Sequence, residues 1–170
     1  MIVKKPADPG SNPGNPTRDN MEDCVFCKII NGEIPCHKIY EDEDFLAFLD
    51  IYPNTKGMTI VIAKKHYPSY VFSMPEEVYE KFMTIVNKIA KILDKTLNVK
   101  RTAMVMEGMG INHAHIKLYP LHGLEEEFKE IWAEEKVFFD KYKGYITTQL
   151  GPRADDKKLE ELAKKIRDGF

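Results

Sequence analysis

Polar and apolar residues alternate along the stretch INHAHIKLYP, residues 111–120. A period of two sends Ala114, Ile116 and Leu118 to one face of a strand and His113, His115 and Lys117 to the other. The β-branched run MTIVIA (58–63) predicts a second strand. HKIYED and DFLAFLD predict two short strands divided by an acidic turn, with the loop YPNTKG after them, and RTAMVME predicts another strand ending at the turn GMG. The period changes in SMPEEVYEKFMTIVNKIAKILDKTL (73–97), where Val78, Phe82, Ile85, Val86, Ile89 and Leu93 follow one helical face. Ser73, Pro75 and Glu76 have the spacing of a capping box at its start. CVFCKIINGEIP predicts a short helical turn closed by Asn31-Gly32. After Leu124, EEEFKEIWAEEKVFFDKY and DDKKLEELAKKIRDGF are helical in composition, separated by YITTQLGPRA. Hairpin-linked strands on both sides of one long helix predict an α+β domain with an antiparallel sheet.

Composition narrows the class. The chain has 170 residues, enough to bury a core without disulfide staples, and is 43% hydrophobic. Lys plus Arg number 25 against 27 Asp plus Glu, so a net charge of -2 shows no basic surplus of the kind general nucleic-acid binders carry. No apolar run approaches a membrane span, and a cytosolic protein is the default expectation. Residues 1–20, rich in Pro, Gly and Asn, are expected to form a disordered leader, with Met21 as the natural start. A domain over 21–123 and a helical extension over 124–170 packed on it complete the expected organisation. The apolar face of that extension, with Trp132, Phe138, Phe139 and Tyr142, would cover the sheet edge or a partner.

The chemistry concentrates in few places. Two histidines in three residues of one strand face suggest metal ligation or proton and nucleophile chemistry; the bland alternative is a solvated sheet face. Of the three cysteines, Cys24 and Cys27 form C-x-x-C, which fits metal or thiol chemistry better than a disulfide framework. A redox pair of the thioredoxin type needs a preceding strand, and nothing before Cys24 reads as one. A buried, unligated pair is the remaining alternative.

With these pieces in order, CVFCKIINGEIP, YEDEDFLAFLDIYPNTKG, IVIAKKH and HAHIKL, the chain from about Cys24 to about Tyr119 resembles the histidine triad (HIT) family of nucleotide hydrolases and transferases. The resemblance implies an antiparallel sheet of about five strands with one long helix, a homodimer, and chemistry on the α-phosphate of a purine nucleotide. It implies that His115 is the nucleophile, forming a nucleotidyl-histidine that water opens. It implies a zinc site at Cys24, Cys27, His66 and His113, as in bacterial and archaeal members with an early C-x-x-C, leaving Cys36 a free thiol. It places the base against Val25, Phe26, Ile29, Phe48 and Ile51, and the ribose hydroxyls on Asp50, which otherwise reads as a turn former before Tyr52-Pro53. Gly108, Gly110 and Asn112 would offer a small anion-binding turn, and His122 either reaches phosphate or lies exposed in its loop.

The chain departs from the family at Lys117, where a third histidine is usual, and at Met58, which follows Gly57 where another histidine is common. An ammonium with the ordinary lysine value of about 10.4 neutralises phosphoryl charge but hands over a proton poorly. The expected function is therefore hydrolysis or transfer on dinucleoside polyphosphates or adenylyl-type substrates. The alternative is a zinc-stabilised nucleotide-binding protein with little turnover. A more distant reading is processing of nucleic-acid ends, for which the chain lacks the added basic surface.

Overall fold

The computed structural model describes residues 23–147 together with Asp155 and Lys157. The expected leader, the start at Met21 and the second C-terminal helix lie outside the described residues or almost wholly so. Seven elements of the sheet domain matter for the site. A short helix α1 (Val25–Ile30) precedes strands β1 (His37–Glu41), β2 (Phe45–Leu49) and β3 (Thr59–Ala63). A long helix α2 (Glu76–Leu97) and strands β4 (Thr102–Val105) and β5 (His115–Pro120) follow. All pairings are antiparallel, in the order β1-β2-β3-β5-β4. This is the expected α+β fold.

The core lies on both faces of the sheet. On one face Phe45, Ala47, Val61, Ile116 and Leu118 pack beneath Phe82, Ile85, Val86, Ile89 and Leu93, the stripe that the helical period picks out. Phe45 and Phe82 stack with ring centroids 5.1 Å apart. On the other face Leu46, Phe48, Ile60 and Ile62 pack against Cys24, Phe26 and Cys27 of the α1 segment. Strand β3 is buried throughout because both faces are covered, which is why its sequence is a continuous apolar run and not an alternating one.

Three local expectations are corrected. The capping box at Ser73 does not form: its hydroxyl donates to the Tyr70 carbonyl and closes the turn Val71–Ser73, so α2 starts at Glu76 with Pro75 at its N-cap. Strand β5 begins at His115 and not at Ile111, because the His113 amide bonds the Ile111 carbonyl and the Ala114 amide bonds Tyr67, holding 111–114 off the ladder.

The third correction concerns the helix expected over 125–142. The described residues from 124 to 147 carry neither helix nor strand, and the chain divides into two compact units between Glu126 and Glu127. Helix composition is a weak force by itself, since most helical stability comes from burying an apolar face. Phe128, Ile131, Trp132, Phe138 and Tyr142 all remain exposed here, so that stabilisation is missing.

Candidate functional site

The strongest constellation is a buried cluster built by three segments. Cys24 is the N-cap of α1 and Cys27 lies one turn on, so one helix end presents both thiols. His66 follows β3 and His113 precedes β5, two strands that pair with each other. All four side chains are buried, and their ligand atoms lie within 4.8 Å of one another. The Sγ to Nδ1 separations are 3.4 Å for Cys24–His113, 3.6 Å for Cys27–His113 and 3.2 Å for Cys27–His66. A tetrahedral zinc with ordinary bond lengths puts sulfur and nitrogen ligands about 3.6 Å apart, so the cluster has the dimensions of a metal site.

The protonation pattern also fits. The His113 Nε2-H donates to the Ala63 carbonyl at 2.7 Å, which leaves Nδ1 as the bare nitrogen facing the thiols. Burial holds His113 down at about 4, against the pull of that carbonyl, and holds His66 below the usual imidazole range. Both rings are thus neutral near pH 7, as ligands must be. Burial, with the adjacent Cys24, pushes the Cys27 thiol up to about 12. Two thiolates in this space need a cation to offset their charge. These four residues can therefore hold a metal ion.

Beside the cluster, His115 Nδ1-H donates to the carbonyl of His113 at 2.7 Å. That fixes the tautomer and leaves Nε2 without a proton. Burial lowers its pKa from the ordinary value against the pull of the His113 carbonyl, with Lys117 lowering it further and Glu107 opposing, so the ring is neutral near pH 7. The register sets its surroundings: Ile62 pairs His115, and Phe48, Ile60, Lys117 and Val105 form one row across four strands. Lys117 is half-buried in that row, one pleat from His115.

The structure brings most of the expected pocket residues to this face. Val25 and Ile29 pack with Phe26, Phe48 and Ile60, and the Phe26 and Phe48 rings meet edge-on at 6.0 Å. Ile51 does not join them; it stands 69% exposed on the turn after β2, where Asp50 ends the ladder by bonding Met58. Asp50 is a turn former, since its Oδ1 accepts from the Tyr52 amide at 2.8 Å.

The 108–112 turn is held by a partner that sequence reasoning missed. Ser69 donates its hydroxyl to the Gly108 carbonyl at 2.8 Å, and its amide donates to Asn112 Oδ1 at 3.1 Å. Asn112 thus orders the turn. Gly108 is needed there, at φ +71, because a Cβ would come within 3.3 Å of the Ser69 carbonyl oxygen. Gly110, at φ +83, faces open space. His122 donates to the Lys56 carbonyl at 2.8 Å and so ties down the 52–57 loop. Sequence reasoning also missed Tyr119, whose place two residues beyond Lys117 extends the polar alternation. Burial raises its hydroxyl pKa, with the charges of Asp50 and Glu107 adding.

Comparison with known proteins agrees with this geometry. A family model of the HIT domain matches residues 31–123. An adenylylsulfatase of Arabidopsis thaliana is 37% identical over 68% of this chain and 58% of its own length. An adenosine 5'-monophosphoramidase of Saccharomyces cerevisiae is 32% identical over 69% of this chain and 75% of its own. Among solved structures, a zinc-bound histidine triad family protein from Mycobacterium smegmatis is similar at 30% identity and a TM-score of 0.56, covering 65% of this chain and 84% of that one. With the family model spanning more than half of its residues and the sheet, helix and histidine strand in their places, this chain belongs to the HIT family.

Proposed function

We propose that this chain is a nucleotide hydrolase or nucleotidyl transferase that acts on the α-phosphate of a purine nucleotide, with His115 as the nucleophile. One observation carries the reading: His115 gives its only proton to the His113 carbonyl and so presents an unprotonated Nε2 next to a half-buried cation, Lys117. Nε2 attacks the α-phosphorus as the bond to the leaving group breaks, and the leaving group departs with that electron pair. The His113 carbonyl stabilises the imidazolium that forms. Water then attacks the same phosphorus, the P-N bond returns its electrons to Nε2, and the nucleoside monophosphate leaves with the water's oxygen and one of its protons while the other proton passes to solvent. Splitting one displacement into two lowers each barrier.

The apolar wall of Val25, Ile29, Phe26 and Phe48 suits a purine. The second oxygen of Asp50, beyond the one held by Tyr52, would accept from a ribose diol, and the Gly110 turn would meet phosphate oxygens. Lys117 supplies fixed positive charge without an easily given proton, which favours leaving groups that depart as stable anions, such as nucleoside polyphosphates or sulfate. The Cys24, Cys27, His66 and His113 set would hold zinc in a closed site, a cross-link between α1 and the two strands. A homodimer is the expected assembly: β4 is an open sheet edge with Met104 exposed, beside a groove lined by Met83, Val86 and Ala90 of α2.

Rapid quench with radiolabelled adenine nucleotides tests the reading. Wild type is expected to trap a protein-bound adenylate. His115→Asn is expected to trap none, to lose turnover by on the order of 10⁴ or more, and to keep its dissociation constant for nucleotide. Wild-type turnover in His115→Asn overturns the assignment. Binding without adduct or turnover in wild type would make the chain a binding protein. Elemental analysis of protein purified without chelator is expected to find about one zinc per chain.

A further inference from the structure

We propose that Phe26 is a positioning residue that couples the four-residue metal cluster to His115. Two separate paths join them. The first is the backbone of His113: its ring faces the thiols through Nδ1, while its carbonyl accepts the Nδ1-H of His115. The second is packing. Phe26 lies between the two cysteines in sequence, is 4% exposed, and sets its ring edge-on against both imidazoles. The centroid of His113 is 5.7 Å away at an interplanar angle of 89°, and that of His115 is 5.4 Å away at 65°.

A single hydrogen bond fixes where the His115 ring is anchored but not its tilt about that bond. The Phe26 ring supplies the missing restraint. Its own place depends on α1, a helix of six residues too short to hold itself without tertiary support. Closing both cysteines and both histidines on one ion pins the first turn of α1, on either side of Phe26, and seats Phe26 against His115. Metal occupancy would in this way set the orientation of a side chain that does not ligate it. The kinetic consequence rests on the reading of His115 as nucleophile; the coupling itself does not.

Two variants and one treatment test the coupling at a single fixed pH. Nitrogen-15 imidazole NMR reports the tautomer and line width of His115, identified by its absence in His115→Asn. In zinc-loaded wild type, His115 is expected to show one sharp tautomer protonated at Nδ1. Phe26→Leu keeps all four ligands and is expected to keep its zinc by elemental analysis, yet to broaden or mix the His115 tautomers. Its kcat is expected to fall by about tenfold to a hundredfold with little change in KM. Phe26→Tyr, which restores the ring, is expected to recover both. Chelator treatment of wild type, followed by circular dichroism to show that the chain stays folded, is expected to broaden the His115 signals reversibly on zinc return. If Phe26→Leu does not fold or loses its metal, Phe26→Met, of similar volume but unbranched and more adaptable, takes its place. Unchanged His115 signals in a folded, zinc-loaded ring-less variant overturn the proposal, as does a rise in KM alone, which would make Phe26 only a wall of the base pocket. Should the quench experiment find no adduct while the NMR coupling is present, the nucleophile reading falls and the coupling stands.

Discussion

The two faces of one sheet meet different demands. Under α2, Phe45, Ala47, Val61, Ile116 and Leu118 meet only apolar partners, and burial and volume are the whole requirement. Under α1, β5 carries His115 and the segment leading into it carries His113, 4% and 0% exposed, and every buried polar atom there needs a named partner. His113 Nε2 has Ala63, His115 Nδ1 has His113, and the Nδ1 atoms of His66 and His113 have thiols. His66 Nε2 is the exception among the described residues. The contrast teaches that period-two alternation in β5 separates a packing job from a chemical one within a single strand.

The largest expected effect tests whether the faces are independent. Phe82 is fully buried and stacked on Phe45, so Phe82→Ala is expected to cost about 3–5 kcal/mol in urea unfolding. Turnover per folded molecule is expected to stay near wild type, because Phe82 touches only the α2 face. A matching loss of kcat/KM in the folded fraction would show that the helix core sets the geometry of the chemical face too.

Legibility followed the same divide. The strands and the stripe of α2 were readable because each periodic pattern is satisfied within this one domain. The four cluster residues and His115 were readable from residue type and from resemblance to family motifs. Ser69 was not, and neither was the bond by which Asn112 holds it, since that contact joins segments 43 residues apart in sequence. Ile51 stands apart from the cluster of Phe26 and Phe48 at the turn that the Tyr52 amide closes on Asp50, a placement that residue type alone does not give. The helix expected over 125–142 failed for the opposite reason: its composition was clear, but a helix needs something to bury its face against, and sequence does not name the partner.

An intermediate effect, confined to the chemical face, is expected at Lys117. An amine leaving from a phosphoramidate must gain a proton as the P-N bond breaks, whereas sulfate or a polyphosphate leaves as a stable anion. General acid catalysis contributes on the order of 10² to 10⁴ in rate. Wild type is therefore expected to turn over adenylyl sulfate or dinucleoside polyphosphates better than adenosine phosphoramidates. Lys117→His is expected to shift the ratio of kcat/KM toward the phosphoramidate by roughly tenfold to a hundredfold, with no change in urea midpoint beyond error. A wild-type preference for phosphoramidates that histidine does not enlarge would show that the leaving-group preference is set elsewhere.

The smallest effect lies where neither face is closed. Strand β1 is the sheet edge with four of its five residues exposed, and an ion network stands in for packing there. Glu41 bonds Lys38 at 2.5 Å and Lys64 at 2.9 Å, and these two ammonium groups hold its carboxyl down at about 2. A folded-state value below the unfolded one means that the stabilisation is fully present above the ordinary glutamate range, near pH 4.5, and is lost as pH falls toward 2. Exposure and salt keep it small, since solvent-facing pairs are largely screened at about 1 M ionic strength. Glu41→Gln is expected to lower the thermal midpoint slightly above pH 5, with the difference from wild type shrinking in high salt and closing as the pH approaches 2. A difference that persists undiminished at the acidic end would mean that Glu41 holds the edge by packing its stem and not by charge, and β1 would then belong with the α2 face.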